Sequence, residues 1–161
     1  MAEPPQPIAR FHLPIAAGAA RAARQLLIDW LRTRAWPGRN IDDLALAVHE
    51  AVANAVEHAY QVSGMESRPA GPGSNLADDF GPSIDLDLSE VTGPSGHRRV
   101  NVVVTDHGRW KHPTAPGDRG RGLRLIRALT ETTQIDHAHG GTRLCMVSFP
   151  VDPVSAIVPT G

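Results

Sequence analysis

The chain carries one cysteine, Cys145, in 161 residues. A lone thiol cannot close an intramolecular disulfide, so stability has to come from a packed core rather than from cross-links. An excess of charge of one sign is also lacking: 16 basic side chains meet 17 acidic ones, for a formal net charge of −1. That balance leaves no electrostatic footprint for a direct nucleic-acid partner. No apolar run reaches the roughly 18 to 20 residues that span a bilayer, because charges interrupt the longest stretches, and no membrane partner is expected. Met1 to Pro7 do not show the basic-then-apolar order of a secretory signal, so the expected location is the cytoplasm. Internal repeats are missing as well.

What is present suits one α/β domain, long enough to bury roughly two-thirds of its unfolded surface around a single core. Its expected bounds are residues 9–150, with a flexible N-terminus at 1–8 and a frayed tail at 151–161. Arg10 to Leu13 read as a short strand. Pro14 then opens a segment in which Ile15, Ala19, Ala22, Ala23, Leu26, Trp30 and Leu31 recur at helical spacing. Pro37 and Gly38 are expected to stop that helix, and Asn40 to cap a second one with Asp42 and Asp43 in its first turn. The second helix is expected to run to about Tyr60.

Residues 62–82 are rich in Gly, Pro and Ser, a composition that predicts a flexible insertion. Ile84, Leu86 and Leu88 alternate with Asp85 and Asp87, and Val100, Val102 and Val104 repeat the pattern. Period-two alternation predicts strands with one buried face, and the connection near Gly93 to Gly96 joins them as a hairpin. Between His107 and Gly120 lie Pro113, Pro116 and Gly117, a loop long enough for a lid. A helix containing Leu123, Ile126 and Leu129 follows. Thr132 to Asp136 and Thr142 to Phe149 then read as two strands joined through Gly140-Gly141, a favoured hairpin turn.

The second helix carries more than a core face. At 100° per residue, Leu44, Val48, Ala51, Val52, Ala55, Val56 and Ala59 share one arc, which is core. Glu50, Asn54, Glu57, His58 and Gln61 share another, and Glu50, Asn54 and His58 stack in line at i, i+4 spacing. A carboxylate and a carboxamide one turn apart can share a cation. On this segment alone, the stripe reads equally as a solvated face, although Asn inside a helix is a poorer former than Glu, Lys or Gln. His49-Glu50 does not begin a zinc motif H-E-x-x-H, because the second histidine position is Ala53. His107, His112, His137 and His139 show no ligand spacing and read as surface or satisfied histidines.

Two glycine motifs follow. Val100 to Thr105 delivers Asp106 and then, two residues on, Gly108. An aspartate there can accept a bond from an exocyclic amine, and a glycine lets the backbone approach a flat ring; the plain alternative is a turn after a strand. Gly120-Arg121-Gly122-Leu123 opens a helix, where free amides flanked by Arg119 and Arg121 suit an anion, above all phosphate. The segment is not a Walker loop, since no Gly-Lys-Ser/Thr follows, nor a dinucleotide fingerprint, since Leu125 occupies the third glycine position.

The order Glu50-x-x-x-Asn54-x-x-x-His58-Ala59-Tyr60, Asp106-x-Gly108, Gly120-x-Gly122-Leu123, then Gly141-Thr142 before a last strand resembles the GHKL superfamily of ATPases and kinases. Within it, the chain is most similar to bacterial anti-sigma-factor serine/threonine kinases of the RsbW and SpoIIAB type, over about residues 9–150. The resemblance implies a Bergerat-type two-layer α/β sandwich, a mixed sheet covered by helices on one face, with ATP beneath a lid. It implies that Asn54 ligates Mg²⁺ and Glu50 acts as base on the attacking hydroxyl. Asp106 would read the adenine amine, Gly108 admit the ring, Gly120 and Gly122 wrap phosphate, and Thr142 support the adenine pocket. The implied partners are an anti-anti-sigma protein of the STAS fold, whose serine or threonine is phosphorylated, a sigma factor, and a second copy of the chain. Trp110 stands where the family has the second glycine of Asp-x-Gly-x-Gly, and the insertion at 62–82 is absent from compact members. Trp110 keeps open the alternative of a module that binds nucleotide to set its partner surface without transferring phosphate. A histidine-kinase catalytic half is disfavoured, because there is room for only one helix before the site helix.

Overall fold

The computed structural model describes residues 9–63, 83–107, 119–138 and 141–153. Strand β1 (Ala9–Pro14) leads to helices α1 (Ala19–Arg32) and α2 (Gly38–Ser63), then to strands β2 (Ser83–Thr92) and β3 (Arg98–Asp106). Helix α3 (Arg119–Leu129) and strands β4 (Thr132–Ala138) and β5 (Gly141–Val147) complete the order. The strands form a five-stranded sheet in the order β1-β2-β3-β5-β4. The helices lie over one face, giving the expected two-layer α/β sandwich.

The sheet is antiparallel at every described pairing, not mixed as the resemblance implied. Chain crossings explain it. Two helices separate β1 from β2, so the chain crosses the layer twice and re-enters the sheet reversed. One helix separates β3 from β4, which leaves those two running the same way, but β5 turns back from β4 and inserts between them. The crossover pair never become neighbours.

The period-two reading of β2 and β3 holds along their length. Ile84, Leu86, Leu88, Val100 and Val102 are wholly buried beneath the helices, while Asp85 and Asp87 face the other way. Leu27 and Leu31 of α1, Leu44, Val48 and Val52 of α2 and Ile126 of α3 close the core from above, and Met146 of β5, opposite Val102, completes the sheet side. Each such aliphatic side chain contributes about 1.5 to 3 kcal/mol relative to exposure. Helix α2 is central, packed against α1 on one flank, α3 on the other and β3 beneath. Its long axis is what carries the polar stripe across the top of the core. Among the described residues, no helix is long and apolar enough to cross a membrane.

Several boundaries differ from the sequence reading. Pro14 closes β1 rather than opening the helix, and α1 begins at Ala19. On α1, Ala22 is exposed, and Leu27 rather than Leu26 is wholly buried. Helix α1 is ended by Ala35 in the left-handed region (φ 52°), with the Trp36 N–H reaching back to the Leu31 carbonyl. Pro37 and Gly38 belong instead to the start of α2, where the Pro37 carbonyl accepts the Ile41 N–H. This earlier start leaves Asn40 inside the helix and no acid in its first turn. Helix α2 runs on to Ser63, so residues 62 and 63 are helical; the rest of the expected insertion, 64–82, lies outside the described residues. The last strand ends at Val147, with Phe149 exposed. At the expected tail, Val151 is buried and bridges Arg98, because its side chain completes the core edge below β3.

Candidate functional site

The stripe on α2 is not a solvated face at the two positions that matter. Glu50 and Asn54 are half-buried, whereas Glu57 on the same arc is exposed. Helix α3 covers them, and it approaches through a glycine. A Cβ placed on Gly122 would stand 3.2 Å from Asn54 Nδ2, 3.2 Å from Glu50 Oε2 and 3.4 Å from Asn54 Oδ1. The two shorter distances are tighter than most real Cβ contacts, so a methyl at Gly122 would make Glu50 and Asn54 give by a few tenths of an ångström. Glu50 and Asn54 thus converge from consecutive turns of α2 on the first turns of α3.

That convergence fits the expected chemistry. Carboxylate and carboxamide oxygens are the hard donors that Mg²⁺ prefers, and Mg²⁺ commonly uses one or two protein ligands with phosphate oxygens and water completing its shell. Gly122 sits in a helix whose N-terminal amides and exposed Arg121 carry the positive sign that phosphate needs. No acid lies in the first turn of α3 to oppose it. Leu123 is half-buried beside them, and His58, one turn beyond Asn54, is half-buried as well.

The second half of the site is built by the sheet. Asp106 is the last residue of β3, opposite Ile84 on β2 and Thr142 on β5. Direct cross-strand partners share a face, so Asp106, Ile84 and Thr142 all point toward the helical layer. Asp106 is buried, Ile84 wholly so and Thr142 partly. Across β4, the Thr142 hydroxyl stands 3.4 Å from His137 Nδ1. A carboxylate flanked by an aliphatic wall and a hydroxyl is the donor-acceptor pattern for one edge of a planar, amine-bearing ring.

Gly141, the first residue of β5, lies against the backbone of Asp106. Its φ is +143°, and a Cβ there would lie 1.7 Å from the Asp106 carbonyl oxygen. Only glycine satisfies both conditions.

Of the residues singled out from the sequence, Glu50, Asn54 and Gly122 are brought together, and Asp106 and Thr142 form a second group. Arg119 and Gly120 lie in the first turn of α3. Gly108 and Trp110, with the 108–118 stretch of the loop expected as a lid between His107 and Gly120, lie outside the described residues. One cluster escaped sequence reading: Asp85 takes His12 Nδ1 at 2.6 Å on one oxygen and His107 Nε2 at 2.8 Å on the other. Alternation alone identified Asp85 as outward-facing. Nothing local in the sequence links it to residues 73 positions before and 22 after.

The sequence profile of the histidine kinase-like ATPase domain matches residues 13–148, nearly the whole chain. The chain belongs to this family. The histidine kinase-like ATPase domain here is 32% identical over 114 residues to serine-protein kinase RsbW of Oceanobacillus iheyensis, a match covering 63% of this chain and 61% of that protein. It therefore spans about three-fifths of the length of that curated relative. The crystal structure of the RsbU and RsbW domains of Rv1364c from Mycobacterium tuberculosis is similar over 92% of this chain and 35% of that one, with 26% identity and a TM-score of 0.52. The two-layer arrangement of this ATPase domain is the one those comparisons share.

Proposed function

We propose that the chain is an ATP-dependent serine/threonine kinase that acts as an anti-sigma factor, regulating transcription in a bacterial cytoplasm. The observation that carries this reading is the approach of Gly122 to both Glu50 and Asn54, which sets a base and an oxygen donor beside a helix start suited to phosphate. Membership of the ATPase family and the similarity to a serine-protein kinase support it.

In this reading Asp106 accepts the adenine amine, Thr142 supports the ring's pocket, and Gly108 admits the ring face. Gly120, Gly122 and the arginines Arg119 and Arg121 receive the phosphates. Asn54 would hold Mg²⁺, which when bound supplies neutralisation of phosphate charge. The partner's serine or threonine hydroxyl then attacks the γ-phosphorus. Its proton passes to the Glu50 carboxylate as the new P–O bond forms, and the bond to the β-phosphate oxygen breaks to leave ADP. Most of the acceleration comes from holding these groups in line and from charge stabilisation.

The partner in this scheme is an anti-anti-sigma protein of the STAS fold. The phosphate added to it brings close to two negative charges at neutral pH, enough to alter a docked interface. Unmodified partner and sigma factor would compete for the chain, and a homodimer is the assembly the family resemblance favours.

The test is incubation of the purified chain with Mg²⁺, γ-labelled ATP and STAS proteins from the same genome. Label is expected on a serine or threonine of one of them, and Glu50→Ala should lower the transfer rate by about 10² to 10⁴. Wild type that binds ATP yet labels none of the set would remove the kinase reading and leave the non-catalytic nucleotide module.

A further inference from the structure

The carboxylate of Asp85 lies on the sheet face opposite the helices, where the site chemistry gives it no task. Its side chain is only 20% exposed, covered by two histidines that are themselves 69% and 51% exposed. His12 is its cross-strand neighbour on β1, opposite Asp85 in register. His107 is not in a strand; it is the first residue after Asp106, where β3 has ended. Its bond to Asp85 crosses from the far side of the sheet and holds the chain at the point where pairing stops.

Asp106 is thereby held from three directions. Its strand neighbours Ile84 and Thr142 hold the backbone laterally, and Gly141 packs against its carbonyl. The bond from His107 to Asp85 blocks the remaining freedom, a rotation of the strand end that would swing the carboxylate away from Thr142. Asp85 uses a separate oxygen for each histidine, Oδ2 for His107 and Oδ1 for His12, so the two bonds are independent. Arg10, the nearest cation on β1, is committed to Asp87 in the next cross-strand row.

Resting on the nucleotide reading given above, we infer that Asp85 and His107 are positioning residues that set the base specificity of the site by fixing Asp106. Neither touches the nucleotide. Their effect should therefore be confined to the part of the ligand that Asp106 reads, the exocyclic amine, and should spare the phosphates.

The test compares ATP with purine riboside triphosphate, which lacks that amine, by direct titration of the full chain with Mg²⁺ present. Wild type should prefer ATP. His107→Ala and Asp85→Ala should each reduce that preference by about five- to tenfold, the range for one lost hydrogen bond, with binding of the amine-free analogue unchanged within about twofold. His107→Gln, which keeps an N–H donor, should restore part of the preference, and His12→Ala should leave it intact. Thermal melts of each variant separate misfolding from mispositioning, because a folding defect lowers affinity for both ligands alike. If the variants keep the wild-type preference, or lose both ligands equally while folded, the inference is overturned. If wild type binds neither triphosphate, it is the nucleotide reading itself that fails.

Discussion

Gly141 stands so close to Asp106 that a single methyl on it would lie 1.7 Å from the Asp106 carbonyl oxygen. The first residue of β5 therefore lies directly against the backbone at the end of β3, and one glycine couples the start of the last strand to the residue that carries the carboxylate. Its positive φ adds backbone strain for any other residue.

Gly141→Ala is accordingly expected to destabilise the domain by about 2 to 4 kcal/mol, since the clash is with backbone and cannot be relieved by a rotamer change. Urea denaturation followed by circular dichroism measures it. A loss below about 0.5 kcal/mol, the range of ordinary surface substitutions, would show that Gly141 does not hold Asp106.

Gly122→Ala should behave in the opposite way. Alanine is the better helix former by about 1 kcal/mol, so stability should hold or rise slightly. Nucleotide affinity should nevertheless fall by about tenfold or more, because the methyl intrudes on Glu50 and Asn54 and small displacements of such groups are costly. Melting and titration of the same preparation show whether the two properties separate.

The far end of the sheet carries a network with no part in the site. Arg98, nearly buried, bonds Glu90 and the Arg34 carbonyl, with its guanidinium 5.0 Å from the Trp36 ring centre. Arg98→Met keeps the apolar stem but leaves Glu90, which is 19% exposed, with only the longer pairing to Arg34 at 4.0 Å, and should cost about 2 to 3 kcal/mol. Nucleotide affinity should be unchanged, because Arg98 pairs with Thr92 at one end of β3 and Asp106 with Ile84 at the other. A parallel loss of affinity would contradict the separation of the two ends.

Asp85 links stability to pH. Burial beneath its neighbours pushes its carboxyl up, but the bonds from His107 and then His12 outweigh this and hold it below the usual carboxylate range. A depressed folded value means stabilisation that is present above the unfolded value, near 4, and is lost as pH falls through the folded one. The stability gap between wild type and Asp85→Asn should be full at neutral pH and close in acid, below about pH 4. Denaturation curves taken between neutral and acid conditions check it, and a gap independent of pH would contradict the assignment.

Much of this fold was legible in the sequence because its signals are periodic. Alternation in β2 and β3 and the helical spacing of α1 each report local geometry that the residues themselves impose. Boundaries were less legible: Pro37-Gly38 serves equally to end one helix and to begin the next, and Ala35, not glycine, adopts the left-handed turn. The reading of a mixed sheet failed because strand direction depends on where β5 inserts, which no local pattern encodes. For the site, i, i+4 spacing placed Glu50 and Asn54 on one face but left a solvated face and an active site equally open. The structure adds that both are half-buried with Gly122 against them. Asp85 was visible only as an outward residue, since its partners come from β1 and from the residue just past β3.

The central claim is that Glu50 and Asn54, beneath Gly122, form a Mg-ATP site. Calorimetric titration of Mg-ATP into wild type and Asn54→Ala tests it most directly. Wild type should bind, and Asn54→Ala, folded by thermal melt, should bind at least about tenfold more weakly, a loss of about 1.4 kcal/mol. Equal affinity in the two proteins, or no binding by wild type, would contradict it.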